Sequence, residues 1–144
     1  MRTLRGFAVL SFTALAALII FFLLAALPDR LVFKGGDRYT FFVGNTSKNC
    51  RVVSCSAPEA GITRLALQNV CGESATFSSL DIGEFLSGVN GEILFTEELE
   101  DSVNYYCKAD LPYSAILYDT EINLHVCVRG DSVTVASPII FGGY

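Results

Sequence analysis

Residues 7–27, FAVLSFTALAALIIFFLLAAL, carry no charged side chain and almost no polar one. At about 1.5 Å rise per helical residue, the run is long enough to cross a hydrocarbon core of about 30 Å. Arg2 and Arg5 precede it, and Pro28, Asp29 and Arg30 end it abruptly. No face of such a helix is polar, which leaves a membrane span or, as the weaker alternative, a buried helix of a soluble domain. The run predicts a transmembrane helix in contact with the lipid bilayer, and the rest of the chain must fold beside it.

The apolar core of a cleaved export signal usually spans about 7–15 residues, and this run is longer. Ala25 and Ala26 are followed by Leu27 and Pro28, a poor cleavage site. A retained signal anchor is therefore preferred; the alternative is a secreted domain released after Ala26. Arg2, Arg5 and the terminal amine on one side nearly balance Arg30, Lys34 and Arg38 on the other. The short basic tail running straight into an apolar helix has the form of an export signal. It places the C-terminal domain outside the cytoplasm, in a cell membrane crossed once. The expected organisation is a basic tail (1–6), the anchor (7–27), a juxtamembrane linker (28–38) and one domain (39–144).

Within that domain, Arg38–Val43 (RYTFFV) and Cys50–Ser54 (CRVVS) flank turn residues and predict a hairpin. Ser56 and Pro58 open a helix that Gly72 closes. Glu73–Ser78 alternates as a strand does. Asp81 caps a helix over Ile82–Val89, with Glu84 reaching back and Ile82, Phe85, Leu86 and Val89 as its buried face. Asn90-Gly91 ends it. Strands follow over Glu92–Thr96, Val103–Ala109, Ile122–Val128 and Ser132–Ala136, with some structure near Ala115–Tyr118. The sum is α+β: a small, mostly antiparallel sheet with one or two covering helices.

Lys and Arg number 10 against 15 Asp and Glu, a net charge of -5. An acidic domain without a basic stripe does not hold phosphate backbones, so nucleic acid is not an expected partner. Five cysteines, Cys50, Cys55, Cys71, Cys107 and Cys127, allow two bridges in an oxidising space with one thiol left over. In a reducing space they are small buried apolar residues. If the strands holding Cys107 and Cys127 pair about a turn near Leu117, those two cysteines face each other and can bridge.

His125 is the only histidine. Asn123, His125, Cys127 and Arg129 fall on one face of their strand, the residue types of a thiol hydrolase. Neighbours two apart on a strand stand about 6.5–7 Å apart, however, and proton transfer needs about 3 Å. The set reads instead as a half-exposed sheet face, with Tyr105, Cys107, His125 and Cys127 as an interaction surface. No Cys-x-x-Cys pair, phosphate-binding glycine loop or nucleophile elbow occurs. No catalytic residue, metal or cofactor is expected, and a thiol-dependent enzyme or redox protein is the weaker alternative. Arg129-Gly130-Asp131-Ser132 spells an adhesion tetrapeptide, but glycine and aspartate are also what a tight hairpin requires. Asn45-Thr46-Ser47 satisfies the glycosylation acceptor rule within a turn.

Ile122–Val128 (INLHVCV), followed by Val133-Thr-Val-Ala-Ser-Pro-Ile-Ile-Phe-Gly-Gly-Tyr144, resembles the ending of YwmB-like proteins. These are exported or membrane-anchored α+β proteins of Firmicutes without an assigned activity. The resemblance covers the last quarter of the chain. It implies a bacterial envelope protein and transfers no functional residue. The expected function is a binding or interaction module held at a membrane surface, with a membrane-associated protein as partner. Fractionation tests the anchor: the full-length chain should stay with the membrane pellet through an alkaline wash, and N-terminal sequencing should read Met1 or Arg2. A soluble product beginning at Leu27 would establish release instead.

Overall fold

The structure is a computed structural model and describes residues 12–22, 30–44 and 49–141. The basic tail, both ends of the apolar run, the Asn45–Ser47 turn and the last three residues lie outside the described residues. Of the run itself, residues 12–22 are described and are helical (α1). Phe12, Phe21 and Phe22 on it are exposed, so α1 adds nothing to the domain core. Among the described residues no helix is long and apolar enough to cross a membrane.

The domain then runs β1 (Arg38–Val43), β2 (Arg51–Ser56), α2 (Ala57–Ala66), β3 (Val70–Phe77), α3 (Ile82–Gly88), β4 (Glu92–Glu98), β5 (Val103–Lys108), β6 (Ala115–Leu117), β7 (Thr120–Ile122), β8 (Leu124–Arg129) and β9 (Ser132–Ser137). Seven strands form one sheet in the order β2-β1-β3-β9-β8-β5-β4, and β6 and β7 form a separate hairpin. Each pairing is antiparallel. The expected α+β class, a mainly antiparallel sheet with covering helices, is what the chain adopts.

Alternation along each strand sorts side chains between two faces. Tyr39, Phe41, Ala75, Phe77, Val126, Val135 and Leu124 occupy one face and build the core with Phe33 and Ala60. Phe85, Leu86 and Val89 of the α3 region pack against that core, and the Phe33 and Phe85 rings lie 6.1 Å apart. Ile82, expected on the same buried stripe, is not part of it. Both helices start as their sequences demand. The Ser56 N–H (3.3 Å) and hydroxyl (2.7 Å) both donate to Glu59, and Asp81 Oδ1 accepts from the Glu84 N–H at 2.9 Å.

Two boundaries differ from expectation. α2 stops at Ala66 rather than at Gly72, because Asn69 turns the chain at φ 55 and β3 already begins at Val70. Gly72 lies inside β3, where a Cβ would stand 3.0 Å from the Ser137 carbonyl and 3.2 Å from Phe42 and Pro138. The single strand expected over Ile122–Val128 is broken at Asn123. That carboxamide accepts from the Ala109 N–H at 2.6 Å and donates to the Ala109 carbonyl, standing in for a strand neighbour at the end of β5.

Glu73 is the unusual member of the core face, fully buried at 0% exposure. Its Oε1 accepts the Val32 N–H at 2.9 Å and the Phe33 N–H at 3.1 Å, clamping the linker onto the sheet. Oε2 has no partner among the described residues. Burial pushes the carboxyl up to about 7, against the opposing pull of the two backbone bonds and of Arg64. The unfolded chain therefore sheds this proton near the ordinary carboxylate range while the folded chain keeps it to about 7. In that window the unfolded state binds fewer protons, so stability falls as pH rises, by about 3 kcal/mol in all. Glu73→Gln keeps the acceptor oxygen and removes the titration. Urea unfolding should show the variant's stability flat between pH 4.5 and 7.5 relative to the parent, and the variant the more stable at pH 8. Parallel profiles would refute this role for Glu73.

Candidate functional site: the open face of the sheet

The face turned away from α2 and α3 is built from two rows of side chains that the register aligns across neighbouring strands. One row reads Arg38, Thr76, Thr134, Cys127, Asn104 over β1, β3, β9, β8 and β5. The next crosses all seven strands as Ser54, Thr40, Ser74, Ala136, His125, Tyr106, Phe95. Hydroxyls dominate the β2–β9 half. Thr40 and Ser54 lie 3.0 Å apart at their oxygens, and Thr76 and Thr134 3.2 Å apart. Aromatic rings dominate the other half: His125 stacks on Tyr106 at 4.5 Å and Tyr106 on Phe95 at 4.6 Å.

The hydroxyl half forms a groove of about 400 Å³, with Thr40, Thr76 and Thr134 along its floor. Arg38 and Arg129 stand at one end and Phe42, Ile140 and Phe141 at the other. Arg38, Thr40 and Phe42 are successive same-face residues of β1, so cationic and aromatic ends are about 13 Å apart. Phe42 is buried beneath Phe141, their rings meeting edge-on at 4.7 Å. Arg129 pairs with Asp101 at 3.0 Å, whereas Arg38 is exposed and has no ion pair among the described residues. Gly130-Asp131 is the turn between β8, which ends at Arg129, and β9, with Gly130 at φ 56.

The residues singled out in the sequence do not assemble as a reactive or exposed set. His125 and Cys127 share this face, but they are 0% and 4% exposed rather than half open. The C-terminal tail packs on His125, whose Nδ1 accepts the Ile140 N–H at 3.3 Å and whose Nε2–H donates to Asn104 Oδ1 at 3.1 Å. Nδ1 therefore has its lone pair engaged and is no base for a thiol, and burial lowers the imidazole to about 4. Burial likewise raises the Cys127 thiol, and the Cys107 thiol to about 11, keeping both protonated near neutral pH. Asn123 is spent on the Ala109 backbone.

Tyr105 and Cys107 lie on the opposite, helix-covered face, because Tyr105 faces Val126 and Cys107 faces Leu124. The interaction surface expected from Tyr105, Cys107, His125 and Cys127 is thus split between two sides of the sheet. The same register corrects the expected Cys107–Cys127 bridge. Cys127 pairs with Asn104, three positions from the register a bridge needs, and an odd offset sends the two thiols to opposite faces. All five cysteines are free.

Asn104, which orients His125, was not singled out in the sequence, although alternation in Val103–Lys108 already places it beside Tyr106. Arg38, Thr76 and Thr134 carried no local signal at all, since the register alone unites them. Among the described residues no three of His, Cys, Asp and Glu converge to hold a metal ion. No protein-family model, characterised protein or solved structure matches the chain. Alkylation reports directly on the thiols. In native protein Cys50 and Cys71, both exposed, should react first while Cys107 and Cys127 stay protected. Unfolding without reductant should then expose five thiols in total. Two thiols missing from that count, with Cys107 and Cys127 as the absentees, would restore the bridge and overturn the register.

Proposed function

We propose that this chain is a single-pass, membrane-anchored protein presenting a small extracytoplasmic domain that binds a ligand and performs no covalent chemistry. The groove on the open sheet face carries this reading, with arginine at one end, hydroxyls on its floor and phenylalanine at the other. That layout suits a small amphipathic acid: the guanidinium groups take the acidic end, and the rings shelter the apolar end. The engaged imidazole and the protonated buried thiols argue against a thiol enzyme.

The anchor reading draws on the uncharged run at 7–27 and on the outward-facing phenylalanines of α1. A lipid tether raises the effective concentration of the domain toward anything in the same membrane plane. The likeness to exported Firmicutes proteins points to the same compartment. The hydroxyl-rich groove replaces the Tyr105/His125 surface as the place where binding occurs.

A water-soluble probe tests the groove. With the full chain in zwitterionic nanodiscs, 4-phenylbutyrate should shift the amide resonances of Thr76, Thr134 and Phe141, and 4-phenylbutylamine should not. Arg38→Gln should weaken the acid about fivefold to tenfold, the range of one exposed charge-assisted bond. Equal responses to acid and amine, or none to either, would overturn the proposal.

A further inference from the structure

The groove has a direction relative to the apolar run, and the linker reveals it. Val32 and Phe33 donate to Glu73, and the Asp37 N–H donates to the Thr76 carbonyl at 2.8 Å. Between them Gly36 lies so close that a Cβ would stand 2.9 Å from that of Ala75. The linker therefore travels along β3 from Glu73 toward Thr76. It meets the sheet at Glu73, one position from the pair Phe42–Gly72 and three from the pair Arg38–Thr76.

Leu27, the last residue of the apolar run, is five residues from Val32, a reach of at most about 18 Å. A bilayer at the Arg38 end would force the chain to double back along a path that residues 33–37 already occupy. The Phe42 end of the sheet thus faces the membrane, and the Arg38 end faces water. The open face agrees with this polarity. Val52, opposite Phe42 on β2, is 53% exposed, and Phe141, packed on Phe42, is 44% exposed. Together they make an apolar rim around the mouth of the groove, as a lipid contact requires. Arg51 beside Val52 is exposed, whereas acidic side chains of this end such as Glu92 and Glu121 lie across the sheet on β4 and β7.

The floor does not oppose a hydrocarbon chain. The Thr76 and Thr134 hydroxyls pair with each other and Thr40 pairs with Ser54, so a chain laid over them strands no donor. A volume of about 400 Å³ is at the small end for a ligand pocket and suits one chain.

We infer, resting on the anchor and the acid-binding groove proposed above, that the groove draws a long-chain fatty acid from the bilayer, carboxylate first. Arg38 takes the carboxylate, the first methylenes cross the threonines, and the rest of the chain passes Phe42 and Phe141 into the leaflet. Acid toward water and chain toward hydrocarbon is how this lipid already lies in a membrane. It need only rise along its own axis.

Palmitate labelled isotopically, either beside the carboxylate or at the terminal methyl, tests this in full-chain nanodiscs of deuterated zwitterionic lipid. The label beside the carboxylate should give Overhauser contacts to the Thr76 and Thr134 methyl groups, and the terminal methyl should give none. Val52→Gln removes part of the rim and leaves the groove lining intact. It should bind 4-phenylbutyrate as the parent does, yet need about threefold to fivefold more palmitate in the bilayer for equal occupancy. Binding of 4-phenylbutyrate without palmitate would overturn the lipid source and spare the acid-binding groove. Terminal-methyl contacts at Thr134 would overturn the direction, and an unchanged palmitate titration in Val52→Gln would overturn entry past the rim. Silence toward both acids would overturn the groove and this inference together.

Discussion

The hydrogen-bonded register that carries Ser54 across to Phe95 is the constraint from which the other features follow. A strand repeats every two residues, so one pairing assigns every side chain of the sheet to a face. With Tyr106 opposite His125, the valines and Leu124 fall toward the helices, and the threonines, Asn104 and His125 fall away from them. A slip of one position would bury Arg38, Thr76 and Thr134 in the core and expose Phe41 and Val126. Several side chains worth about 1.5–3 kcal/mol each on burial oppose that slip, and this is why a polar face can be held in register.

Each face is finished by a segment flanking the sheet, and the two segments are held by different physics. On the core face the linker is held by Glu73, a buried carboxyl that takes two backbone N–H groups. Tyr39 adds to this junction, its hydroxyl accepting from Gly36 and donating to the Phe33 carbonyl. On the open face the tail is held by Ile140 against His125 and by Phe141 against Phe42. The first clamp ties the fold to the segment that leads out of the apolar run. The second covers His125, which stands between the aromatic rings and the hydroxyl groove. His125 thus shapes the groove by position: it holds the tail at Ile140, and Ile140 and Phe141 line the apolar end of the groove.

The division between what was legible in the chain and what was not follows the range of the interactions. Caps were legible, since Ser56 with Glu59 and Asp81 with Glu84 act over three residues. Most strands were legible, because β-branched and aromatic runs bounded by turn residues have few alternatives. The break at Asn123 was not, since its cause is a carboxamide reaching fourteen residues back to Ala109. The end of α2 was misplaced because Val70 continues the helical spacing of Ile62, Leu65 and Ala66 as readily as it opens a strand. The disulfide and the interaction surface failed for one shared reason: both assumed a pairing register, and the β6–β7 hairpin between the two strands moved it by an odd number of positions.

The sequence by itself therefore determined the apolar run, the α+β class, the acidic character and the order of most of the elements. Composition and short-range periodicity carry all four. Tertiary structure alone decided that Cys107 and Cys127 point apart, that His125 is sealed beneath the tail, and that Arg38, Thr76 and Thr134 line one groove. These depend on which strands become neighbours and in what register. Contacts between residues tens of positions apart set that, and no local pattern encodes them.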